Sequence, residues 1–418
     1  MLNKNLKYIL IGMGLYLTFE TLNFIIQIIQ HDILHKSKVK ITHDKETITE
    51  ITKNISTDLL THINDFERGL NCMFFNSINN FSKIQIINSL KKCLLYPFHN
   101  DVDISHIHDI YNKYSSNNKS NETNNEQIID WHENKLKIWY KPLFLVGMYE
   151  MLSMYSDYRM LSLGFTKYQM DDGLKIWYKN KFASNNGILF IHACAGGLVF
   201  QMNFLEKLDE KNALFIPEIP GISFGNRLFI PPSIASMSET LVNFIISKQI
   251  NNLQFISHSF GSILISHIIN HHYKSLCNNN INITNTILIE PIIFLPSLPY
   301  IYSLLNKDLP VIDVIHKMQY DFGRFITYIT LLRDIYTQFY SQRSFFVSDI
   351  LLGTTEYERK NTINIIYCSN DEISPTNECV HYLKSKKYNC NLKIFNNKSH
   401  GDFCLCSDMQ EYVLSIIL

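Results

Sequence analysis

The chain has 418 residues, enough for one large domain with accessories or for two domains. Its 38 Lys and Arg balance 38 Asp and Glu, so no global field recruits nucleic acid or acidic lipid, and no nucleic-acid partner is expected. Nine cysteines, an odd number without CxxC pairs, fit reduced intracellular thiols better than a secreted disulfide framework; no metal site and no organic cofactor is implied.

In residues 1–35, Lys4 and Lys7 precede the apolar run Tyr8 to Leu17, after which Thr18, Glu20, Asn23 and Gln27 interrupt a further apolar stretch. The uninterrupted run is shorter than the about twenty residues that span a bilayer, and Glu20 would cost about 3 kcal/mol in lipid. The expectation is a membrane anchor or interfacial helix, hence a membrane-associated intracellular protein. A helix packed on a soluble cytoplasmic protein is the alternative. Residues 36–130 read as a helical region, with Leu59, Ile63, Phe66 and Leu70 on one face after a cap at Asp58, ending in the asparagine-rich linker Asn112 to Gln127. Residues 131–172 read as an aromatic, methionine-rich helical segment packed on the domain that starts at Gly173. The hexapeptide LKIWYK occurs at 136–141 and at 174–179, with no similarity around it, so it argues no repeat architecture.

From Gly173 onward, apolar strands alternate with helices, the pattern of a mostly parallel sheet with helices on both faces. Strands are predicted at 174–178, 187–192, 213–217, 253–257, 285–290, 363–367 and 391–395. Ser236 with Glu239 forms a capping box ahead of a helix burying Met237, Leu241, Phe244 and Ile245. The stretch from about 291 to 358 interrupts the alternation as a helical cap. It carries Phe294, Tyr300, Tyr302, Tyr320, Phe322, Phe325, Tyr328, Tyr336, Phe339, Tyr340, Phe345 and Phe346, which either line an apolar substrate pocket or pack the cap's own core.

The chemistry concentrates where strands end. Ser257-His258-Ser259-Phe260-Gly261 is small-x-Ser-x-small between an apolar strand and an apolar helix, the pattern of a nucleophile elbow. Small flanking residues are needed because strand and helix pass within backbone contact. The strand Gly187 to Ile191 leads into His192-Ala193-Cys194, where small side chains let backbone amides approach a substrate carbonyl. Asp371 comes after the strand 363–367, and His400 after the strand 391–395. A serine hydroxyl needs a base, neutral imidazole suits that role, and a carboxylate orients the imidazole. Ser259, Asp371 and His400 therefore read as a triad, with the Phe260 amide and that of Cys194 or Ala193 as the oxyanion hole. Glu290, ending the strand 285–290, is the alternative acid. Asp371 is preferred because its loop leads into Ser374-Pro375, a cap and first-turn proline for the next helix. His192 and His258 read as structural, and Asp402 as a cap of the last helix.

These motifs carry a resemblance. Residues 173–418 resemble an α/β-hydrolase superfamily domain, with FIHACAGG, PEIPGISFG, FISHSFGSILISHII, ILIEPIIFLP, YCSNDEISP and NNKSHGDF in the expected order. The chain is also similar to membrane-associated hydrolase-like proteins of fungi and protists. Ala193 stands for the usual glycine after the oxyanion histidine and Ser257 for the first elbow glycine, both small replacements. The resemblance implies an α/β-hydrolase fold with a cap and a helical N-terminal extension, acting as a serine hydrolase on a small-molecule or lipid ester or thioester with an apolar acyl group. An acyltransferase using the same triad, or a binding protein that keeps the fold without turnover, are the alternatives.

Overall fold

Strand-forming runs rich in isoleucine, leucine and phenylalanine pair into one eight-stranded sheet in the computed structural model of the chain, which describes residues 4–37, 85–89, most of 132–306 and of 332–352, 361–417, and a few single positions between. The face around Leu59 and the asparagine-rich linker lie outside the described residues. The strands are β1 (Thr166–Gln169), β2 (Lys175–Lys179), β3 (Asn186–Ile191), β4 (Ala213–Glu218), β5 (Asn252–His258), β6 (Asn282–Ile289), β7 (Ile363–Cys368) and β8 (Cys390–Phe395), in the spatial order β1-β2-β4-β3-β5-β6-β7-β8. β1 and β2 are antiparallel to their neighbours and the rest run parallel. This is the expected mostly parallel sheet of an α/β-hydrolase fold.

Seven of these strands lie within a few residues of the predicted ends. The eighth, β1, falls in the stretch read as helical. It is an edge strand, exposed along most of its length, so no buried apolar run marks it in the sequence.

The main helices are α1 (Lys4–Lys36), α2 (Leu143–Ser162), α3 (Ile234–Ser247), α4 (Gly261–Asn278), α5 (Leu298–Asn306), α6 (Ile335–Arg343), α7 (Val347–Ile350), α8 (Thr376–Ser385) and α9 (Ser407–Ser415). Strand pleating sends alternate side chains to opposite layers. Leu189 and Ile191 of β3 pack with Leu241 and Ile245 of α3 and Leu264 and Ile268 of α4. Ile188 and Phe190 join the other layer, with Phe403, Met409 and Val413. Each such side chain contributes about 1.5–3 kcal/mol by leaving water.

The cap of α3 differs from expectation. Ser233, not Ser236, is the N-cap, its hydroxyl accepting the Ser236 amide, and the helix starts at Ile234 directly after Pro231, Pro232 and that serine. Prolines fix the chain entering the first turn, so the cap falls on the first polar residue after them. Between β6 and β7, α5, α6 and α7 occupy the place of the expected insertion. Phe294, Tyr302, Tyr336, Phe339 and Tyr340 are buried there, and Tyr340 meets Phe260 edge-on with ring centres 6.0 Å apart. These rings pack the insertion against the elbow. Tyr320, Phe322, Phe325, Tyr328, Phe345 and Phe346 lie outside the described residues.

α1 and α2 invert the usual helix polarity. Glu20, Asn23, Gln27 and Gln30 of α1 face the body. Glu20 accepts from the Tyr140 hydroxyl (2.5 Å) and the Leu143 amide (3.0 Å), Asn23 and Gln27 donate to the Lys141 carbonyl (3.0 and 2.8 Å), and Gln30 donates to the Tyr336 hydroxyl (3.0 Å). Ile11, Leu15, Phe19, Leu22, Ile25 and Ile29 are exposed. In α2, Tyr149, Ser153, Ser156 and Met160 are buried, whereas Phe144, Met151, Met154 and Tyr158 point outward at about 70% exposure. This segment packs inward by one face and leaves the other bare.

Candidate active site

β5 ends at His258 and α4 begins at Gly261, leaving Ser259 and Phe260 to make the turn. Ser259 has φ +49°, in the left-handed region, a conformation costing on the order of 1–3 kcal/mol for a residue with a Cβ. Its neighbours hold it there: the Ser259 amide donates to the Ile289 carbonyl (2.8 Å) and the Ser262 hydroxyl to the Ser259 carbonyl (2.6 Å). Gly261 is required sterically, since a Cβ there would lie 2.4 Å from the Ile191 carbonyl oxygen. That approach sets the end of β3, with Ala193 and Cys194 just beyond it, against the start of α4, where Phe260 occupies the N-cap position.

Ser259, His400 and Asp371, far apart in the chain, meet above these strand ends. Ser259 Oγ lies 2.6 Å from His400 Nε2, and His400 Nδ1 lies 2.8 Å from Asp371 Oδ2. Asp371 Oδ1 accepts the amides of Ile373 (2.8 Å) and Ser374 (2.7 Å), which fixes the carboxylate. Two local expectations around the site fail. Ser374 does not cap α8: Pro375 takes that position, and the Ser374 hydroxyl donates instead to the Pro291 carbonyl (2.7 Å), tying the acid loop to the strand end beside it. Asp402 does not cap α9, whose N-cap is Cys406; its carboxylate accepts the Ser399 amide (2.9 Å) and closes the turn that presents His400.

Glu290 sits 3.9 Å from His400 Nδ1, behind Asp371. It is fully buried and accepts from His258 Nε2 (2.9 Å), the Gly401 amide (2.6 Å) and the Cys368 thiol (3.0 Å). Gln201 donates to His258 Nδ1 (2.9 Å), so the His258 proton resides on Nε2 and points at Glu290. Glu290 thus joins the residue before the serine to the residue after the histidine. Sequence reasoning missed this brace: Gln201 is a single polar residue in an apolar helical stretch and carries no motif.

Burial alone would lower the pKa of His400, but the carboxylates of Asp371 and Glu290 outweigh it and raise it to about 9. Burial likewise opposes ionisation of Glu290, yet the His258 hydrogen bond and the facing imidazole of His400 hold it at about 2. Burial pushes His192 down to about 4, keeping it neutral. Its Nδ1–H donates to the Ala193 carbonyl (2.7 Å) and its Nε2 accepts the Ile219 amide (3.0 Å), which locks the loop after β3. A cavity of about 290 Å³ lies elsewhere, under α1, lined by Gln27, Lys141, Glu150 and Arg227 among others; neither the triad nor the brace borders it.

No protein-family model matches the chain, and no curated protein matches it. Among solved structures it is similar to a hydrolase from Pseudomonas aeruginosa (13% identity, TM-score 0.41, covering 60% of this chain and 97% of that one). It is similar to a lipase-esterase related protein from Clostridium acetobutylicum (16%, 0.42, 58% and 99%) and to a bacterial membrane phospholipase A (12%, 0.41, 65% and 91%). The narrower likeness to fungal and protist proteins has no counterpart among these three. Similarity at this level says nothing of what the chain does; the fold rests on the strand order and the elbow.

Proposed function

We propose that this chain is a serine hydrolase cleaving an ester or thioester with an apolar acyl group through an acyl-enzyme intermediate. The observation that supports it is the hydrogen-bonded line from Ser259 through His400 to Asp371 on a left-handed elbow serine. Neutral His400 takes the hydroxyl proton at Nε2 while Nδ1–H donates to Asp371, and Ser259 Oγ attacks the carbonyl carbon. The tetrahedral oxyanion is held by the amides of Phe260 and of Cys194 or Ala193, each donor worth about 3 kcal/mol. The imidazolium then protonates the leaving alcohol or thiol, and water repeats the cycle on the acyl-enzyme. An alcohol in place of water would make the same steps an acyl transfer. A fluorophosphonate probe is expected to label the wild type and not Ser259→Ala, with turnover falling at least about 10⁴-fold. Labelling of the variant, or none of well-folded wild type, would sink the assignment.

Membrane association belongs to the same reading and would present lipid esters to the site. A helix that turns polar groups inward and apolar groups outward suits a surrounding of hydrocarbon. Glu20, Asn23, Gln27 and Gln30 are hydrogen-bonded to the body, so residues 4–19 serve as the anchor and the rest of α1 lies with α2 in the interface. Ser259→Ala protein, which cannot consume lipid, is expected to float with phospholipid vesicles; full recovery in the vesicle-free fraction would remove this part of the reading.

A further inference from the structure

α4 runs from the elbow beneath the insertion, and its middle carries His267 and His271 one turn apart, with Asp349 of α7 facing them. We propose that these three side chains form a site for a divalent transition-metal ion of the zinc class, which clamps the insertion to the helix that begins beside Ser259.

Their ligand atoms all lie within 4.8 Å of one another. His271 Nε2 is 3.4 Å from Asp349 Oδ1. That is too long for a strong hydrogen bond, yet it matches the edge, about 3.4 Å, of a tetrahedron whose centre lies about 2.1 Å from each corner. The two imidazoles stack with ring centres 4.2 Å apart, the i, i+4 arrangement by which one helix face offers two ligands to one ion. His267 and Asp349 are buried, so two of the three ligand atoms are held in a packed setting. The His271 side chain is 16% exposed, which leaves a path for the ion and a coordination position for water.

Two nitrogens and one oxygen favour zinc, cobalt or nickel over calcium and magnesium, which prefer oxygen shells. The backbone carrying Asp349 is already held on α4. Asn270 donates to the carbonyls of Asp349 (2.8 Å) and Leu351 (3.2 Å), and the Ser266 hydroxyl to that of Ile350 (2.5 Å). The ligand from the insertion is therefore positioned before an ion arrives, as supporting hydrogen bonds do in metal sites.

The test uses the untagged full-length chain, stripped by a chelator and titrated with Co(II) alone. One equivalent is expected to bind with the visible absorption of a four-coordinate site and to be displaced by Zn(II). His271→Ala, at the partly exposed ligand, and Asp349→Asn are expected to weaken binding at least about a hundredfold. His272→Ala, next in sequence but outside the triangle, leaves it unchanged. Absence of cobalt uptake by the wild type, or His271→Ala and Asp349→Asn binding as tightly as wild type, overturns the site. Binding is read without turnover, so this result and the fate of the hydrolase reading are separable.

Discussion

The strand-end site and the α1–α2 sheath handle polar groups in opposite settings. Around Ser259, polar side chains are largely buried at the strand ends, and each key group has its partner: Glu290 has three donors, Asp371 has two amides and an imidazole. In the sheath, polar side chains also turn inward and find partners, but the outer face is left apolar. Inward polarity alone therefore says little. What lies on the outside, a packed layer for the sheet and bare side chains for α1 and α2, separates the candidate active site from an exposed apolar surface.

The greatest loss of turnover is expected from the two acids together. Asp371→Asn alone is expected to cost less than the about 10⁴-fold typical of a triad acid, because Glu290 stands 3.9 Å from the same imidazole nitrogen. The double variant with Glu290→Gln should reach that full loss. Equal turnover of the single and double variants would assign Glu290 to bracing alone.

On the other side of the comparison, Leu15→Glu combined with Leu22→Glu places charge on the exposed apolar face. The charge at 15, in the anchor, costs about 3 kcal/mol in hydrocarbon and the one at 22, in the interface, costs less, so vesicle partition should fall by about a hundredfold or more, while hydrolysis of a soluble short-chain ester stays unchanged. Unaltered partition would show that this face does not meet lipid.

A pH profile interrogates the strand-end site directly. His400 must be neutral to act as base, and its pKa is raised to about 9, so kcat/KM should climb on the order of fifty-fold between pH 7 and pH 9. Glu290→Gln should move that rise toward neutral pH by removing one facing charge. For stability the sign is reversed: a raised histidine pKa stabilises the fold fully below about 6.5, and that contribution is lost as pH rises through about 9. A profile flat above pH 7 would show that the carboxylates do not act on His400 in solution. The most modest change is local: Ser233→Ala should lower stability by about 1 kcal/mol in a denaturation curve, and Ser236→Ala by less, because Ser233 is the cap.

Much of the candidate site's arrangement was legible because its residues follow strand ends. The elbow pattern, the order serine, acid, histidine and the small residues after β3 depend on short-range sterics that a sequence records. The brace through Glu290, His258 and Gln201 was not legible as a unit, because its members come from three separate elements and only the crossing of β5, β6 and the helical turn Gly197–Gln201 brings them together. The caps at Ser233 and Pro375 fell three residues and one residue from expectation because several residues near each helix start could serve locally.

The hexapeptide LKIWYK marks the boundary between the two kinds of information. At 174–179 it supplies β2, Trp177 is buried with its indole N–H on Glu218, and Lys179 reaches Glu210 at the surface. At 136–141 the same residues form no strand; the Trp139 amide donates to the Arg333 carbonyl and Lys141 is buried against Asp334. Local periodicity and sterics, written residue by residue in the chain, were enough for the alternation of apolar runs, the strained serine turn and the three residue types the chemistry needs. Long-range packing chose which copy of an identical segment joined the sheet, which carboxylate stood nearest the imidazole and which way the N-terminal helix turned its polar face, because those outcomes depend on partners distant in the chain.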